Sequence, residues 1–387
     1  GTSAAGPRRG RPLPSGPGEA PGSGRGRPLP LSLGEALSQR DPRGLAELIR
    51  AEHPVRCAEK VRMIESVSCW DLVPELAEAH ARHMRSSDAM QRVRCEPSLD
   101  AFTRVVVDYK DANKDMIGLM LRGMQRVLQR PGHEFNETMA DQFLNSILEG
   151  WLGSNVLLSH YLACAGEPGS QTGIVDPSCD VVGICSQTAA DVQGLCHECT
   201  GLWPLVQVNT YFSDGDPSPK IPLIPTVLRY ILQELLKNSC RATAEAVEYD
   251  FEFEKKPIAV HLCADEQHMI VHISDRAGGI PFEVGQRVWS YNYTTVSRDV
   301  RDATPLAGHG VGLPLSRLYA NFLGGSLNLV SLPGYGTHAF LSLPRLPWRP
   351  GGQPTPRASP RAESRAGPPW TSAYYMMNTE NSNCLPP

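Results

Sequence analysis

From Gly44 to about Trp203 the apolar residues recur at helical intervals. Leu45, Leu48, Ile49, Val61 and Ile64 open the pattern. From Leu99 to Leu128 it is continuous: Phe102, Val105, Val106, Tyr109, Met116, Ile117, Met120, Leu121, Met124 and Leu128 are spaced at threes and fours. Phe143, Leu144, Ile147, Leu148, Trp151, Leu152 and Val156 form a third run. Val181 to Trp203 forms a fourth, with Asp176-Pro177-Ser178 as its start signal. Such spacing marks one buried helix face. Four amphipathic helices with short breaks predict a helical bundle.

After Pro204 the period falls to two. Val206–Phe212 alternates, as do Ile258–Leu262 and Met269–Ile273, the last two joined by the turn Asp265-Glu266-Gln267. Ser326–Val330 and Thr337–Leu343 flank Pro333-Gly334-Tyr335-Gly336 as a hairpin. Alternation of this kind predicts half-buried strands. Helical runs at Pro222–Tyr249, Pro281–Tyr291 and Leu313–Phe322 lie between them. The expectation is α+β: a four-helix-type bundle followed by an α/β layer of mainly antiparallel strands. The domains read as 1–43 a leader, 44–204 helical, 205–345 α/β, and 346–387 a Pro-rich tail.

Composition sharpens the ends. Of 34 prolines, seven fall in residues 1–30 and ten in 344–387, so half mark two tails rather than the body. Residues 1–30 also hold five arginines and one acid, Glu19. Arg-rich, acid-poor leaders resemble transit peptides, and plain disorder fits the same composition. The net charge of −4 does not suggest a nucleic-acid binder. No apolar run approaches the roughly 20 residues of a membrane span. Eleven scattered cysteines, most within apolar helical patterns, point to a reducing compartment. Cys196-His197-Glu198-Cys199 has half the spacing of a zinc site but no second pair to complete it, so buried helix cysteines are the better reading.

Three short motifs follow in order. Glu234 and Asn238 stand four apart in Glu234-Leu235-Leu236-Lys237-Asn238-Ser239-Cys240-Arg241, and so share a helix face. A carboxylate beside an amide oxygen suits a Mg²⁺-nucleotide site, although an ordinary solvent-facing helix would show the same pair. Asp275-Arg276-Ala277-Gly278-Gly279 follows a strand directly. An Asp there is able to accept from an exocyclic amine such as that of adenine, and a plain glycine turn is the alternative. Gly308-His309-Gly310-Val311-Gly312-Leu313-Pro314 leads into a helix. Bare amides at a helix start form an anion cradle. The spacing is neither that of a Walker A loop nor that of a Rossmann fingerprint.

In this order, with about 28 residues between the last two, the motifs resemble the ATP site of the GHKL superfamily, which includes gyrase-type ATPases, bacterial histidine kinases and the mitochondrial 2-oxoacid dehydrogenase kinases. Glu234–Thr243, Tyr291–Thr295, Thr304–Ala320 and Ser331–Thr337 are very similar to the corresponding segments of the dehydrogenase kinases. Glu52-His53-Pro54-Val55-Arg56 and Asp176–Cys179 resemble the family upstream. The resemblance spans about residues 44–345. It implies a GHKL (Bergerat) α/β sandwich that binds ATP and Mg²⁺, with a lid from about Asn292 to Gly308. Glu234 would be the general base toward a substrate serine, and Asn238 the Mg²⁺ ligand. Leu235, Leu236, Lys237, Ser239, Cys240 and Arg241 would lie on the nucleotide-contacting helix. Asp275 would hold the adenine, Thr337 would lie near it, Gly279 would bind the cofactor, and Thr294 and Thr295 would contact nucleotide from the lid. Gly308, His309, Gly310, Val311, Gly312 and Leu313 would wrap the phosphates.

The resemblance further implies a 2-oxoacid dehydrogenase subunit as protein substrate, a lipoyl-bearing acyltransferase core as partner, a homodimer, and residence in the mitochondrial matrix. Some positions depart from the family. Tyr230 stands where the pyruvate enzymes have His and the branched-chain enzyme has Tyr, and Ala277 replaces a glycine. The family's paired arginines fall on Trp151 and Asn155, its His-Asn-Asp on Asn113-Lys114-Asp115, and the Asp-Trp pair of its tail on Ser382-Asn383. Two other readings stand beside the serine kinase. One is a histidine kinase, for which His197-Glu198 has its proline at Pro204, too far on. The other is a non-catalytic nucleotide-binding adaptor of the same fold.

Overall fold

The computed structural model describes residues 39–94, 98–166, 173–212, 220–247, 253–265, 268–291, 293 and 310–344. Helix α1 (Pro42–Glu65) starts at Asp41, whose carboxylate accepts from the Gly44 amide at 2.8 Å, with Pro42 in the first turn. A 3₁₀ turn at Trp70–Leu72 leads to α2 (Pro74–Arg92). The apolar periodicity leaves α2 unread, because alanine and histidine carry much of its buried face: Leu76, Ala79, His83 and Met90.

The continuous run from Leu99 to Leu128 is two helices, α3 (Leu99–Ala112) and α4 (Met116–Gln129). Asn113 breaks it. Its side-chain amide donates to the Tyr109 carbonyl at 2.8 Å, which satisfies an end group that a continuing helix would use. The pattern runs on unbroken because each helix buries its own stripe. Phe102 and Val106 of α3 enter one core, and Met116, Met120 and Met124 of α4 another.

The long α5 (Glu137–Gly166) packs on α1, α3 and α4. Strand β1 (Asp176–Asp180) occupies the predicted start signal, and Asp180 caps α6 (Val181–Thr200) through the Gly183 amide at 3.1 Å. Gly201, at φ 74°, ends that helix in the left-handed region. Cys196 is buried in α6, and no group of three metal-binding side chains occurs among the described residues. None of the described helices is long and apolar enough to cross a membrane.

The α/β part begins with β2 (Val206–Phe212), β3 (Lys220–Leu223) and α7 (Pro225–Glu245). β4 (Ile258–Ala264), β5 (His268–Ser274), the short α8 (Phe282–Gly285), α9 (Gly312–Phe322), β6 (Ser326–Leu332) and β7 (Gly336–Pro344) complete it. β3 leaves the main sheet and pairs with β1. The five-stranded sheet runs β2-β4-β5-β7-β6, with β2 and β4 parallel and every other pair antiparallel.

The alternation read from the sequence sets which face is buried. Ile258, Val260 and Leu262, then Met269, Val271 and Ile273, and then Leu341 and Leu343 face α7 and α9. α7 also packs on α6. One apolar cluster therefore runs from Met120 and Leu144 through Val192 and Leu232 to Val271 and Leu341.

Candidate active site

α7 brings the first motif to the sheet. Leu228, Ile231, Leu232, Leu235 and Leu236 are buried, and this apolar stripe sets the helix rotation. With that stripe inward, Glu234, Asn238, Ser239, Arg241 and Ala242 line one wall of a cavity of about 360 Å³. Leu236 and Cys240 do not line it; they stand four apart within the core, where the same helical geometry places them. Lys237 lies outside the lining too, but its ammonium donates to Glu234 Oε1 at 3.1 Å.

The back of the cavity is Asp275, only 4% exposed. Its Oδ1 accepts from the Ala277 and Thr337 amides, each at 3.2 Å, and its Oδ2 from Ser239 Oγ at 3.0 Å. The Asp275 amide donates to the Thr337 carbonyl at 3.0 Å, which ties the residue to β7. Burial pushes the carboxyl above its usual range, and the three hydrogen bonds oppose that shift. A buried acceptor with a defined direction is left facing an apolar slot of Ile273, Ile280, Leu329 and Ala339. A flat heteroaromatic amine fits such a slot.

Two glycines of the cavity wall lie close against their neighbours. Gly279 has φ 72°, and a Cβ there would lie 2.3 Å from the Leu332 carbonyl oxygen. A Cβ on Gly312 would lie 2.2 Å from Glu234 Oε2. The Glu234 carboxylate thus rests against the first residue of α9, at the positive end of that helix. Gly310, Gly312 and Leu313 line the cavity and Val311 does not. Thr294, Thr295, Gly308 and His309, with most of the expected lid, lie outside the described residues. The wall also includes Pro281, Val284, Val288 and Tyr293, which motif reading missed. The periodicity predicts a helix over Pro281–Tyr291, but only Phe282–Gly285 is helical and the rest is turns.

The sequence matches the family model of histidine kinase-, DNA gyrase B-, and HSP90-like ATPases over residues 224–347, the stretch that builds this cavity. It is 29% identical to the mitochondrial pyruvate dehydrogenase (acetyl-transferring) kinase of Drosophila melanogaster, over 77% of this chain and 76% of that protein. It is 30% identical to isozyme 4 of that kinase from Homo sapiens, over the same shares. With isozyme 4 from Rattus norvegicus the identity is 31%, over 80% of this chain and 76% of the relative. The chain belongs to the mitochondrial pyruvate dehydrogenase kinase family.

It is a protein kinase of the pyruvate dehydrogenase kinase type, with an ATP-binding GHKL domain behind a helical region. In this kinase Tyr230, one turn before Glu234, packs against Tyr319 of α9 with ring centroids 5.2 Å apart. Burial raises the Tyr230 phenol far above its usual range, and the nearby Glu234 carboxylate adds to the shift. Tyr230 therefore stays a neutral phenol at neutral pH. Trp151 and Asn155 lie on α5.

Proposed function

We propose that this kinase transfers the γ-phosphoryl group of ATP to a serine of the dehydrogenase component of a mitochondrial 2-oxoacid dehydrogenase complex, and so inactivates it. Pyruvate dehydrogenase is the substrate we favour, because the relatives are named for it. The observation that carries the reading is the pairing of Glu234 and Asn238 on one wall with buried Asp275 behind them. Phosphoryl transfer needs mainly positioning and charge neutralisation, so a small set of groups suffices.

Asp275 accepts the adenine amine, and Gly279 lets the backbone close against the ring. Asn238 offers a hard amide oxygen beside the Glu234 carboxylate, a donor set that fits Mg²⁺. When bound, Mg²⁺ neutralises phosphate charge. Glu234 takes the proton of the serine hydroxyl as that oxygen attacks. Lys237 holds the Glu234 carboxylate toward the cavity. The enzyme acts in the mitochondrial matrix as a homodimer and docks on the lipoyl-bearing acyltransferase core of its complex.

The test is phosphate incorporation from radiolabelled ATP into purified pyruvate and branched-chain dehydrogenase components, with ATP affinity measured alongside. Glu234→Gln should keep ATP binding but lose about 10²–10⁴ in transfer rate, the usual worth of a general base. A wild type that binds ATP and phosphorylates neither component would support the adaptor reading instead. A Glu234→Gln variant as active as wild type would remove Glu234 from the mechanism.

A further inference from the structure

Glu137, Asp141 and Asn145 stand at intervals of four on α5, and so line one helix face. That face meets a segment about 150 residues further along the chain. Asp141 Oδ2 accepts from Ser290 Oγ at 2.6 Å, and its Oδ1 from the Tyr291 amide at 2.9 Å. Asn145 Oδ1 accepts from the Tyr291 hydroxyl at 2.9 Å. Glu137 receives Arg287 at 3.1 and 3.3 Å.

Tyr291 joins the apolar core and Trp289 packs against it, but the segment has no regular element after α8 among the described residues. Beyond α8 its backbone makes turn hydrogen bonds: the Arg287 amide to the Val284 carbonyl, Ser290 to Arg287, and Tyr293 to Ser290 at a long 3.4 Å. Yet it forms the rim of the nucleotide cavity. Val288 and Tyr293 line that cavity. The Arg287 guanidinium lies 4.4 Å from the centre of the Tyr293 ring. Trp289 is covered by Arg317 of α9 at 4.5 Å, on the helix whose first residue abuts Glu234. Tyr291 is 4% exposed and lies within electrostatic reach of Tyr230.

Magnitudes select the residue that matters. The Glu137–Arg287 pair is exposed, and such pairs contribute little. Asp141 is half-buried, uses both oxygens, and one partner is a backbone amide. Hydrogen bonds to a charged group are the stronger class.

We propose that Asp141 is a positioning residue of the nucleotide cavity. Seated on the helical half, it pins Ser290 and Tyr291 and so fixes the rim formed by Val288 and Tyr293. Nucleotide affinity is then set partly from outside the α/β half. Any displacement of the start of α5 becomes a change in ATP affinity. The inference rests on the reading of the cavity as the ATP site.

The experiment uses the full chain and measures calorimetric affinity for a non-hydrolysable ATP analogue with Mg²⁺, KM for ATP, and Tm. The variants are Asp141→Ala, Asp141→Asn and, as a control on an exposed neighbouring position, Gln142→Ala. Asp141→Ala should weaken analogue binding about tenfold at a temperature well below its Tm, with KM for ATP rising in step. Asp141→Asn should stay within about threefold of wild type. Its oxygen still accepts from the Tyr291 amide, and the Ser290 hydroxyl turns to accept from the new amide. A merely structural role would lower Tm and leave the affinity of the folded protein unchanged.

Wild-type affinity in Asp141→Ala overturns the inference, and so does an Asn variant as weak as the Ala one. If Asp141→Ala does not fold, Ser290→Ala combined with Asn145→Ala removes contacts of the same clasp. Weakened analogue binding in that pair supports the inference, and unchanged binding overturns it. A wild type that does not bind the analogue brings down the nucleotide reading itself, and the inference with it.

Discussion

In the proposed function Asp275 is the adenine acceptor, and its burial bears on stability as well. Its carboxyl is raised above the ordinary aspartate range by burial, so the fold favours the protonated form. The stability this contributes is present in full below the unfolded value of about 4 and is lost as pH rises through the folded one. Above that folded value the charge is a cost to the fold. Asp275→Asn should melt at or above wild type at pH 7, with the advantage shrinking as pH falls toward about 4. Its oxygen still accepts from the Ala277 and Thr337 amides, but a donor now stands where the adenine amine needs an acceptor. ATP affinity should drop by about tenfold or more. Melting curves between pH 4 and 8, with calorimetry at pH 7, check both halves. The motif order pointed to this residue, whereas its burial and its bond to Ser239 required β5, β7 and α7 to meet.

At the scale of elements, α1 carries an unusual load. Glu52, His53, Arg56 and Lys60 are all buried along it. Lys60 donates to Ser154 Oγ at 2.8 Å and to the Arg56 carbonyl at 3.3 Å. Burial is the main cause that lowers its ammonium from 10.5 to about 8. The unfolded chain holds this proton to about 10.5 and the folded one releases it near 8, so stability should rise with pH between those values. Below pH 8 the cost is on the order of 3 kcal/mol. Lys60→Met should raise Tm by several degrees at pH 7 and abolish that rise, and thermal melts from pH 7 to 10.5 would show both. The stripe of α1 residues such as Leu45, Ile49 and Ile64 is legible as a helix, but the burial of Lys60 is not. A lysine reads as solvent-facing until α5 closes over it. α2, with its sparse apolar residues, and the break at Asn113 escape periodicity for the same reason: packing and a side-chain bond decide them.

At the scale of the molecule, one apolar cluster passes from the helical bundle through α6 and α7 into the sheet. That cluster crosses from the helical part into the α/β part, so the described body should unfold as one unit. Thermal unfolding followed by helical circular dichroism and by tryptophan fluorescence should give coincident midpoints, and ATP should raise both together. Two separated transitions, with only one moved by ATP, would show that the shared core does not couple the halves.

The sequence by itself determined what is periodic or local. The spacing of Leu228, Leu232 and Leu235 turns α7 so that Glu234 and Asn238 share a wall, and strict alternation in β4, β5 and β7 assigns the sheet its buried face. The glycines and Asp275 were legible as motifs because their chemistry depends on backbone freedom and a strand end. Tertiary structure alone decided the rest. It set Gly312 against the Glu234 carboxylate, moved β3 out of the sheet to pair with β1, and brought Asp141 to Tyr291. Those contacts join residues up to about 150 positions apart, and no repeat along the chain encodes them. They exist because burying the apolar stripes of α5, α7 and the sheet in one core brings the polar groups at their edges within bonding distance of one another.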